Sequence, residues 1–314
     1  MKILGIETSC DETAAAVVEN GTKILSNVVA SSADMHIKTG GIIPENAARQ
    51  QIKSIIPVIS STLKKANTTK KDIDAIAVTY GPGLIGSLLV GIETAKTLSL
   101  LWQKPIVPVN HLVAHIYANW LTGKAPEFPV LALVVSGGHT DLVLMKKHGD
   151  IKWIGGTRDD AAGEAFDKSA RLLGLPYPGG PSISKEADKY LSKHPKEKLQ
   201  LFPRPMIGDD NFDWSFSGLK TAVLNETKGK IDNQEKIAAE VQEAIVNVLV
   251  KKTLKAVEDY NPKSLLLAGG VAANKRLREK FESEIKSQKL KINFFVPPVK
   301  LCTDNAAYIA PQCQ

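Results

Sequence analysis

Two histidines four residues apart, His111 and His115, stand in the apolar stretch "NHLVAHIYANW" at residues 110–120. Residues at this spacing project from the same face of a helix, so both imidazoles could bind one metal ion. A catalytic metal site needs a third protein ligand and an open position. Asp304 in "CTDN" is the candidate, because it follows a predicted strand in the second half of the chain. The same spacing also fits two unrelated histidines on a helix.

Two Gly-Gly pairs each follow a predicted buried strand, in "SGGHTDLV" (136–143) and "LAGGVAANKRL" (267–277). Glycine lets backbone N–H groups approach a phosphate or a nucleobase closely. The second pair leads into a predicted helix, whose N-terminus favours an anion. Tight turns that need a positive φ would show the same pattern. Together with the polar turn "IETSCDET" (6–13), these loops favour nucleotide binding over simple turns.

Carboxylates are concentrated in that first polar turn, where Glu7, Asp11 and Glu12 lie within a few residues of one another. Carboxylates held close together raise one another's pKa, which prepares one of them to act as a general base. A polar surface turn is the alternative interpretation.

A further carboxylate, Asp167, lies on a predicted helix, and Gly179-Gly180 opens the next helix. A carboxylate can accept hydrogen bonds from ribose hydroxyls, as in dinucleotide-binding folds. Taken alone, the pattern is more typical of a solvated helix carboxylate and a plain loop.

The elements that must position these residues form two similar α/β halves. Each half begins with strand, polar turn and strand, and then alternates strands with helices. Asn20-Gly21 between apolar runs predicts a hairpin. The helices are predicted at 44–66, 85–102, 162–174, 181–192, 218–226 and 234–260, and a last one starts near 304.

This repetition predicts a duplicated α/β fold with two lobes around a nucleotide cleft. The boundary is expected near 123–129, which gives an N-terminal lobe of residues 1–125 and a C-terminal lobe of residues 126–314. The last helix is expected to pack back on the first lobe.

The composition is typical of a globular protein of a reducing compartment. The chain has 314 residues, 43% of them hydrophobic, and three cysteines without C-x-x-C spacing. We expect a cytoplasmic protein with no signal peptide and no apolar run long enough to span a membrane. The net charge of +7 and the pI of about 9.1 favour a polyanionic partner, although many proteins are mildly basic without one.

Nine stretches, in one order along nearly the whole chain, resemble the TsaD family of tRNA threonylcarbamoyladenosine transferases. They are "GIETSCDETAAAVV", "HIKTGGIIPENAAR", "GPGLIGSLLVG", "NHLVAHI", "LVVSGGHTDLV", "AAGEAFDKSARLLGLPYPGGP", "FSGLKTAV", "LAGGVAANKRLR" and "LCTDNAA". The resemblance implies the actin/Hsp70/sugar-kinase (ASKHA) fold. It also implies transfer of the threonylcarbamoyl group from threonylcarbamoyl-AMP to the exocyclic amine of the adenosine just after the anticodon, in tRNAs reading codons that begin with A.

The resemblance further implies roles for individual residues. His111, His115 and Asp304 would hold an iron or zinc ion, and Asp11 and Glu12 would be needed for activity. The residues expected to contact the adenylate, or ATP, are Val134, Val135, Ser136, Gly137, Gly138, Asp167, Gly180 and Asn274. The implied partners are tRNA, the paralogous protein TsaB and the P-loop ATPase TsaE, with no membrane partner.

Three other functions compete with the transferase. A small-molecule kinase of the same fold is the main alternative, but it has no need of the His-x-x-x-His pair. A metalloprotease is disfavoured because no glutamate follows His111, so the H-E-x-x-H pattern that carries the general base is missing. A non-catalytic scaffold like the paralogous partner would lack the histidines.

Overall fold

The computed structural model describes residues 1–32, 35–36, 41–229 and 233–313. Residues 37–40, which belong to the "HIKTGGIIPENAAR" stretch, lie outside the described part of the chain. The chain divides into two compact units. Unit 1 comprises Met1–Ala125 and Pro297–Gln314, and unit 2 comprises Pro126–Val296.

Unit 1 contains a five-stranded sheet in the order β3-β2-β1-β4-β5. The strands are β1 (Lys2–Glu7), β2 (Thr13–Glu19), β3 (Lys23–Ala30), β4 (Ala75–Gly81) and β5 (Ile106–Asn110). The helices are α1 (Pro44–Lys65), α2 (Ile85–Trp102) and α3 (His111–Tyr117), with 3-10 turns at Ala118–Thr122, Val299–Leu301 and Ala310–Cys313. The predicted hairpin is confirmed, since Asn20 and Gly21 have φ of 51° and 64° between the antiparallel β2 and β3.

Unit 2 contains a second five-stranded sheet in the order β10-β9-β6-β7-β8. The strands are β6 (Val130–Val135), β7 (Thr140–Lys147), β8 (Asp150–Gly156), β9 (Ser264–Ala268) and β10 (Asn293–Phe295). The helices are α4 (Ala162–Leu172), α5 (Gly179–Lys193), α6 (Ser217–Glu226), α7 (Gln234–Tyr260) and α8 (Lys275–Ser287), and a 3-10 turn covers Gly270–Ala273.

The two sheets have the same topology. In each, the first three strands pair antiparallel in sequence, the fourth strand pairs in parallel with the first, and the fifth pairs in parallel with the fourth. β6 in unit 2 therefore corresponds to β1 in unit 1, and β9 corresponds to β4. The prediction of a duplicated α/β fold is confirmed.

Alternation of side chains in β1 explains how its sheet is covered on both faces. Ile3 packs with the C-terminal residues Tyr308 and Ile309, whereas Leu4 packs on the other face with Ile55 of α1. Strands buried on both faces carry continuous apolar runs rather than alternating ones, which matches the "KILGIE" sequence of β1.

The predicted last helix from residue 304 is wrong. The structure has turns up to Ile309 and then the short 3-10 turn Ala310–Cys313. The Asn305 side chain accepts a hydrogen bond from the Ala307 backbone N–H at 3.0 Å, a local bond that competes with helical pairing. Pro311 then has no N–H to donate to a helix.

Among the described residues, α2 has the length and composition to cross a membrane, with 18 residues and a mean hydropathy of 1.2. This finding departs from our expectation that no such segment exists. Glycine, serine and threonine interrupt the apolar run of α2, so the sequence shows no continuous apolar segment although the mean hydropathy of the helix is high. In unit 1 its Leu88 and Ala95 are buried, while Glu93 and Lys96 form an exposed ion pair at 2.7 Å.

Candidate active site

The two histidines and the late aspartate converge in unit 1. β5 ends at Asn110, whose side-chain oxygen accepts hydrogen bonds from the backbone N–H groups of the next turn and so starts α3 at His111. Asp304 Oδ1 lies 3.3 Å from His115 Nε2 and 3.8 Å from His111 Nε2. One ligand atom from each of the three residues lies within 4.8 Å of the others. This group could hold a metal ion.

The chemistry of these donors fits a metal ion. His115 is 1% exposed, and within the described part of the chain neither of its ring nitrogens has a hydrogen-bond partner. A buried imidazole without partners is costly unless another ligand, such as a metal, satisfies it. Two imidazoles and one carboxylate are ligands that zinc and iron accept, and three protein ligands leave a position open.

Burial and charge set the protonation of this group. Burial lowers the pKa of His115. Burial also acts to lower the pKa of His111, but the carboxylates of Glu7 and Asp304 outweigh it and raise that pKa to about 9. Burial acts to raise the pKa of Asp304, yet the two histidines hold it well below its usual range. Metal binding would therefore release a proton from His111.

The acidic turn after β1 contains two carboxylates with raised pKa values. Burial raises the pKa of Glu12 to about 7, with Asp11 and Asp304 adding to the rise. Burial and then Asp304 also raise the pKa of Asp11. Burial, more than mutual repulsion, is thus the main cause. The side-chain amide of Gln51 donates to the carbonyl oxygens of Cys10 and Glu12, which fixes the turn.

Cys10 in the same turn has a strongly raised pKa, which disfavours its thiolate form. Burial, followed by the charge of Asp11, raises the pKa of its thiol far above the usual value. The thiolate is the reactive form of cysteine, and it is therefore scarce here.

The first Gly-Gly loop of unit 2 begins where β6 ends. β6 and β9 are parallel neighbours, with Val134 opposite Ala268, so the loop 136–138 and the loop that follows β9 emerge side by side. Ligands of open α/β sheets bind at the carboxyl ends of the strands. A Cβ placed on Gly137 or Gly138 would meet nothing within 4 Å, so the backbone of this loop is open to a ligand.

The second Gly-Gly loop needs glycine for a different reason. Gly269 has φ of 90°, and a Cβ there would collide with the backbone of Val135. The pair thus serves close packing of two strand ends as well as access to the backbone.

Asp167 lies in α4, and its side chain contacts the first residue of α5. Its Oδ1 accepts a hydrogen bond from the Gly179 N–H at 2.7 Å, and burial raises its pKa. A Cβ on Gly179 would collide with Asp167, whereas a Cβ on Gly180 would meet nothing within 4 Å. Asp167 and Gly180, both predicted site residues, are therefore close neighbours.

Asn274 is placed at the N-cap of α8. Its side-chain oxygen accepts from the Leu277 N–H at 2.9 Å, and its amide nitrogen lies 2.9 Å from Ser184 Oγ and 3.0 Å from Gln242 Oε1. The sequence pattern did not indicate these bonds, which occupy most of the hydrogen-bonding capacity of the side chain.

Two further residues of unit 1 contact the group formed by His111, His115 and Asp304. Tyr308 is fully buried, with its hydroxyl 3.5 Å from Asp304 Oδ1 and its ring centroid 4.7 Å from that of His115. Glu7 Oε2 lies 3.2 Å from His111 Nδ1. No pattern in the sequence indicated the Tyr308 contact, and Glu7 was predicted only as a carboxylate of the acidic turn.

Comparison with known proteins identifies the family. The model of the family "TsaD: tRNA N6-adenosine threonylcarbamoyltransferase" matches residues 23–311. The chain belongs to the TsaD family. A tRNA N6-adenosine threonylcarbamoyltransferase of Bacillus cereus is 53% identical over 313 residues, which cover 98% of this chain and 89% of that protein.

Two solved structures support the fold alone. Full-length HypF in a phosphate- and nucleotide-bound form has a TM-score of 0.65 at 13% identity, with 99% of this chain and 54% of that chain covered. A ROK family glucokinase from Streptomyces griseus, in complex with glucose and AMPPNP, has a TM-score of 0.51 at 12% identity, with 99% and 98% covered. The TsaD chain thus has the duplicated α/β fold of the sugar kinases.

Membership of the TsaD family establishes the class of reaction. The enzyme is a transferase that modifies the N6 position of adenosine in tRNA. The small-molecule kinase, kept open by the sequence, is not favoured, because the family model and the relative at 53% identity both carry the transferase name.

Proposed function

We propose that this TsaD enzyme uses threonylcarbamoyl-AMP as donor and releases AMP. The acceptor is the adenosine just after the anticodon in tRNAs reading codons that begin with A. A mixed anhydride is already activated, so no protein nucleophile is required. The protonated Cys10 thiol supports this, because the acidic turn then offers carboxylates and no thiolate.

His111, His115 and Asp304 hold the cofactor, an iron or zinc ion, in this proposal. The observation that carries it is the convergence of their ligand atoms within 4.8 Å around a buried imidazole with no other hydrogen-bond partner among the described residues. When bound, such an ion supplies Lewis-acid polarisation of the donor.

Glu12 is the proton acceptor for the attacking amine. A general base works best when its pKa lies near the working pH, and the pKa of Glu12 is raised to about 7. The Ser31 hydroxyl donates to Glu12 Oε1 at 2.8 Å, while Oε2 has no hydrogen-bond partner among the described residues. Asp11 supports Glu12 through its charge, which keeps the pKa of Glu12 high.

The loops of unit 2 bind the adenylate. Val134 and Val135 form the end of β6, and the open backbone of Gly137 and Gly138 offers N–H groups to a phosphate. The Ser136 N–H already donates to the His139 carbonyl oxygen at 2.8 Å, so Ser136 would contact the adenylate through its hydroxyl. The other contacts are assigned to Asp167, Gly180 and Asn274. The hydrogen bond from the Gly179 N–H to Asp167 supports this assignment, because it holds the carboxylate beside Gly180, where it could accept from ribose hydroxyls.

A paralogous TsaB-type partner binds the outer face of α1 and α2. Large apolar side chains are exposed there, including Ile52 and Ile56 on α1 and Leu89 and Leu100 on α2. Exposed apolar side chains on neighbouring helices are typical of protein interfaces. Burial of these side chains in the interface would also explain why α2 is apolar, and no membrane is required. A TsaE-type ATPase and a cytoplasmic location complete the proposal.

The reaction itself can be tested with the purified chain, tRNA, threonylcarbamoyl-AMP and the TsaB- and TsaE-type partners. Mass spectrometry of digested tRNA should show threonylcarbamoyl adenosine. His111→Ala and His115→Ala should remove it, whereas Lys71→Ala, on the surface of unit 1, should not. Full activity of both histidine variants would overturn the metal assignment.

The partner surface can be tested separately by gel filtration with the TsaB-type protein. Ile56→Asp should prevent co-elution, whereas Ile151→Asp, an exposed apolar position in unit 2, should leave it intact. Co-elution of the Ile56→Asp variant at the wild-type affinity would place the interface elsewhere.

A further inference from the structure

Glu7 is a fully buried carboxylate at the end of β1, and each of its oxygens has a partner. The Ser9 backbone N–H donates to Oε1, and the Thr79 hydroxyl donates to Oε2. His111 Nδ1 also lies 3.2 Å from Oε2. The proposed mechanism so far gives this carboxylate no role.

Sheet topology brings these groups together. β1 and β4 are parallel, with Ile6 opposite Val78, and β4 is parallel to β5, with Gly81 opposite Asn110. The carboxyl ends of the three strands therefore lie side by side. Glu7 ends the first strand, and His111 directly follows the third.

We propose that Glu7 is a positioning residue for His111. Its carboxylate accepts a hydrogen bond from Nδ1–H, which keeps the proton on Nδ1 and leaves the lone pair on Nε2, the nitrogen that lies 3.8 Å from Asp304 Oδ1. Imidazoles that bind metals commonly donate their other N–H to a carboxylate, which fixes both tautomer and ring orientation. The inference rests on the proposed metal role of His111.

Ser9 offers the opposite arrangement. Its hydroxyl oxygen also lies 3.2 Å from His111 Nδ1 and could donate to it, which would put the proton on Nε2 and remove the metal-binding lone pair. The Glu7 carboxylate favours the Nδ1–H tautomer of His111, because a carboxylate can only accept and a charge-assisted hydrogen bond is stronger than one to a hydroxyl. The Ser9 hydroxyl then accepts from Nδ1 as well, or turns away.

The first test uses the wild-type chain without metal. A long-range 1H–15N correlation spectrum, recorded at a pH at which the spectrum itself shows the His111 ring to be neutral, reports which nitrogen carries the proton. We expect Nδ1–H at His111. Nε2–H would overturn the proposal, whatever the fate of the metal assignment.

The second test measures binding of Co²⁺ to the full chain by its visible absorption. In Glu7→Gln, an amide NH2 replaces one carboxylate oxygen and faces a donor, so His111 loses its fixed orientation. We expect affinity to fall about 10- to 100-fold, with an altered absorption band. Glu240→Gln is the matched control, since Glu240 is 3% exposed and accepts the Leu201 N–H in unit 2.

The outcomes distinguish the role of Glu7 from the assignment of the metal ligands. Unchanged Co²⁺ affinity and band in Glu7→Gln would overturn the role of Glu7. If Glu7→Gln does not fold, Thr79→Val removes only the hydroxyl that holds Oε2, and a smaller fall in affinity is expected. Absence of Co²⁺ binding by the wild type would instead contradict the metal assignment, and the tautomer measurement would still decide on Glu7.

Discussion

Asp304 Oδ1 lies 3.3 Å from Nε2 of His115, although the two residues come from distant parts of the unit 1 sequence. Nε2 and Oδ1 thus face each other at an ion-pair distance, while His115 Nδ1 has no hydrogen-bond partner within the described part of the chain. A cation placed between the two groups would satisfy both.

Asp304→Asn should therefore lower metal affinity strongly. The substitution removes the charge and a ligand oxygen, and we expect a loss of more than about 100-fold, since changes in outer-shell residues already cost 10- to 100-fold. Competition with a chromophoric chelator measures the affinity. Asp72→Asn, an exposed carboxylate that bonds Thr69 in the same unit, is the control. Equal affinities for the two variants would contradict the assignment.

The pH dependence of the reaction should report Glu12. Its base form is needed, so the rate should rise with pH through the pKa of about 7. A bound cation nearby would move this limb to lower pH. Glu12→Gln should abolish the limb together with most of the activity. If the rate of Glu12→Gln still rises with pH as it does in the wild type, the general base is another residue.

The raised pKa of Glu12 also predicts that substitution of this residue increases the stability of the folded protein. Because the pKa in the folded protein is raised above 4.5, the folded state binds the proton more tightly, and stability falls as pH rises from the unfolded to the folded pKa. Above the folded pKa, Glu12→Gln should raise the free energy of unfolding by roughly 1–2 kcal/mol after allowance for solvent screening. Urea denaturation at several pH values measures the difference, which should vanish in acid.

Gly179 and Gly180 form a matched pair for separating packing from binding. A Cβ on Gly179 would collide with Asp167, so Gly179→Ala should lower the free energy of unfolding by about 1–3 kcal/mol. Gly180 has open space, so Gly180→Ala should fold normally but weaken binding of AMP. Denaturation and calorimetry measure the two effects. Normal AMP affinity in Gly180→Ala would remove this residue from the adenylate site.

The sequence predicted those parts of the site that depend on local spacing. His111 and His115 share one helix, so a periodicity of one turn was enough to place their rings together. The Gly-Gly loops were also predictable, because a strand followed by glycine specifies a turn at a sheet edge. The duplicated fold followed from the repeated order of strand, turn and strand.

Contacts between distant segments could not be predicted in this way. The bonds from Glu7 to Thr79 and His111 depend on the order of the strands in the sheet, which local pattern does not fix. The prediction of a helix after Asp304 was wrong for a related reason. Its helical periodicity was overridden by burial against the sheet and by the bond from the Ala307 N–H to Asn305.

Asn274 provides a last test, because its side chain has both a structural and a proposed binding role. Asn274→Ala removes the cap of α8 and the bonds to Ser184 and Gln242, and should lower the free energy of unfolding by about 1–2 kcal/mol. Asn274→Asp keeps an acceptor for the Leu277 N–H and should be less destabilised.

Binding of AMP should follow the opposite order. A carboxylate at residue 274 repels the phosphate, so Asn274→Asp should bind AMP more weakly than Asn274→Ala, despite its greater stability. Calorimetry on both variants, with denaturation curves alongside, measures the two orders. If AMP affinity instead follows stability, Asn274 acts only through the cap of α8 and does not contact the adenylate.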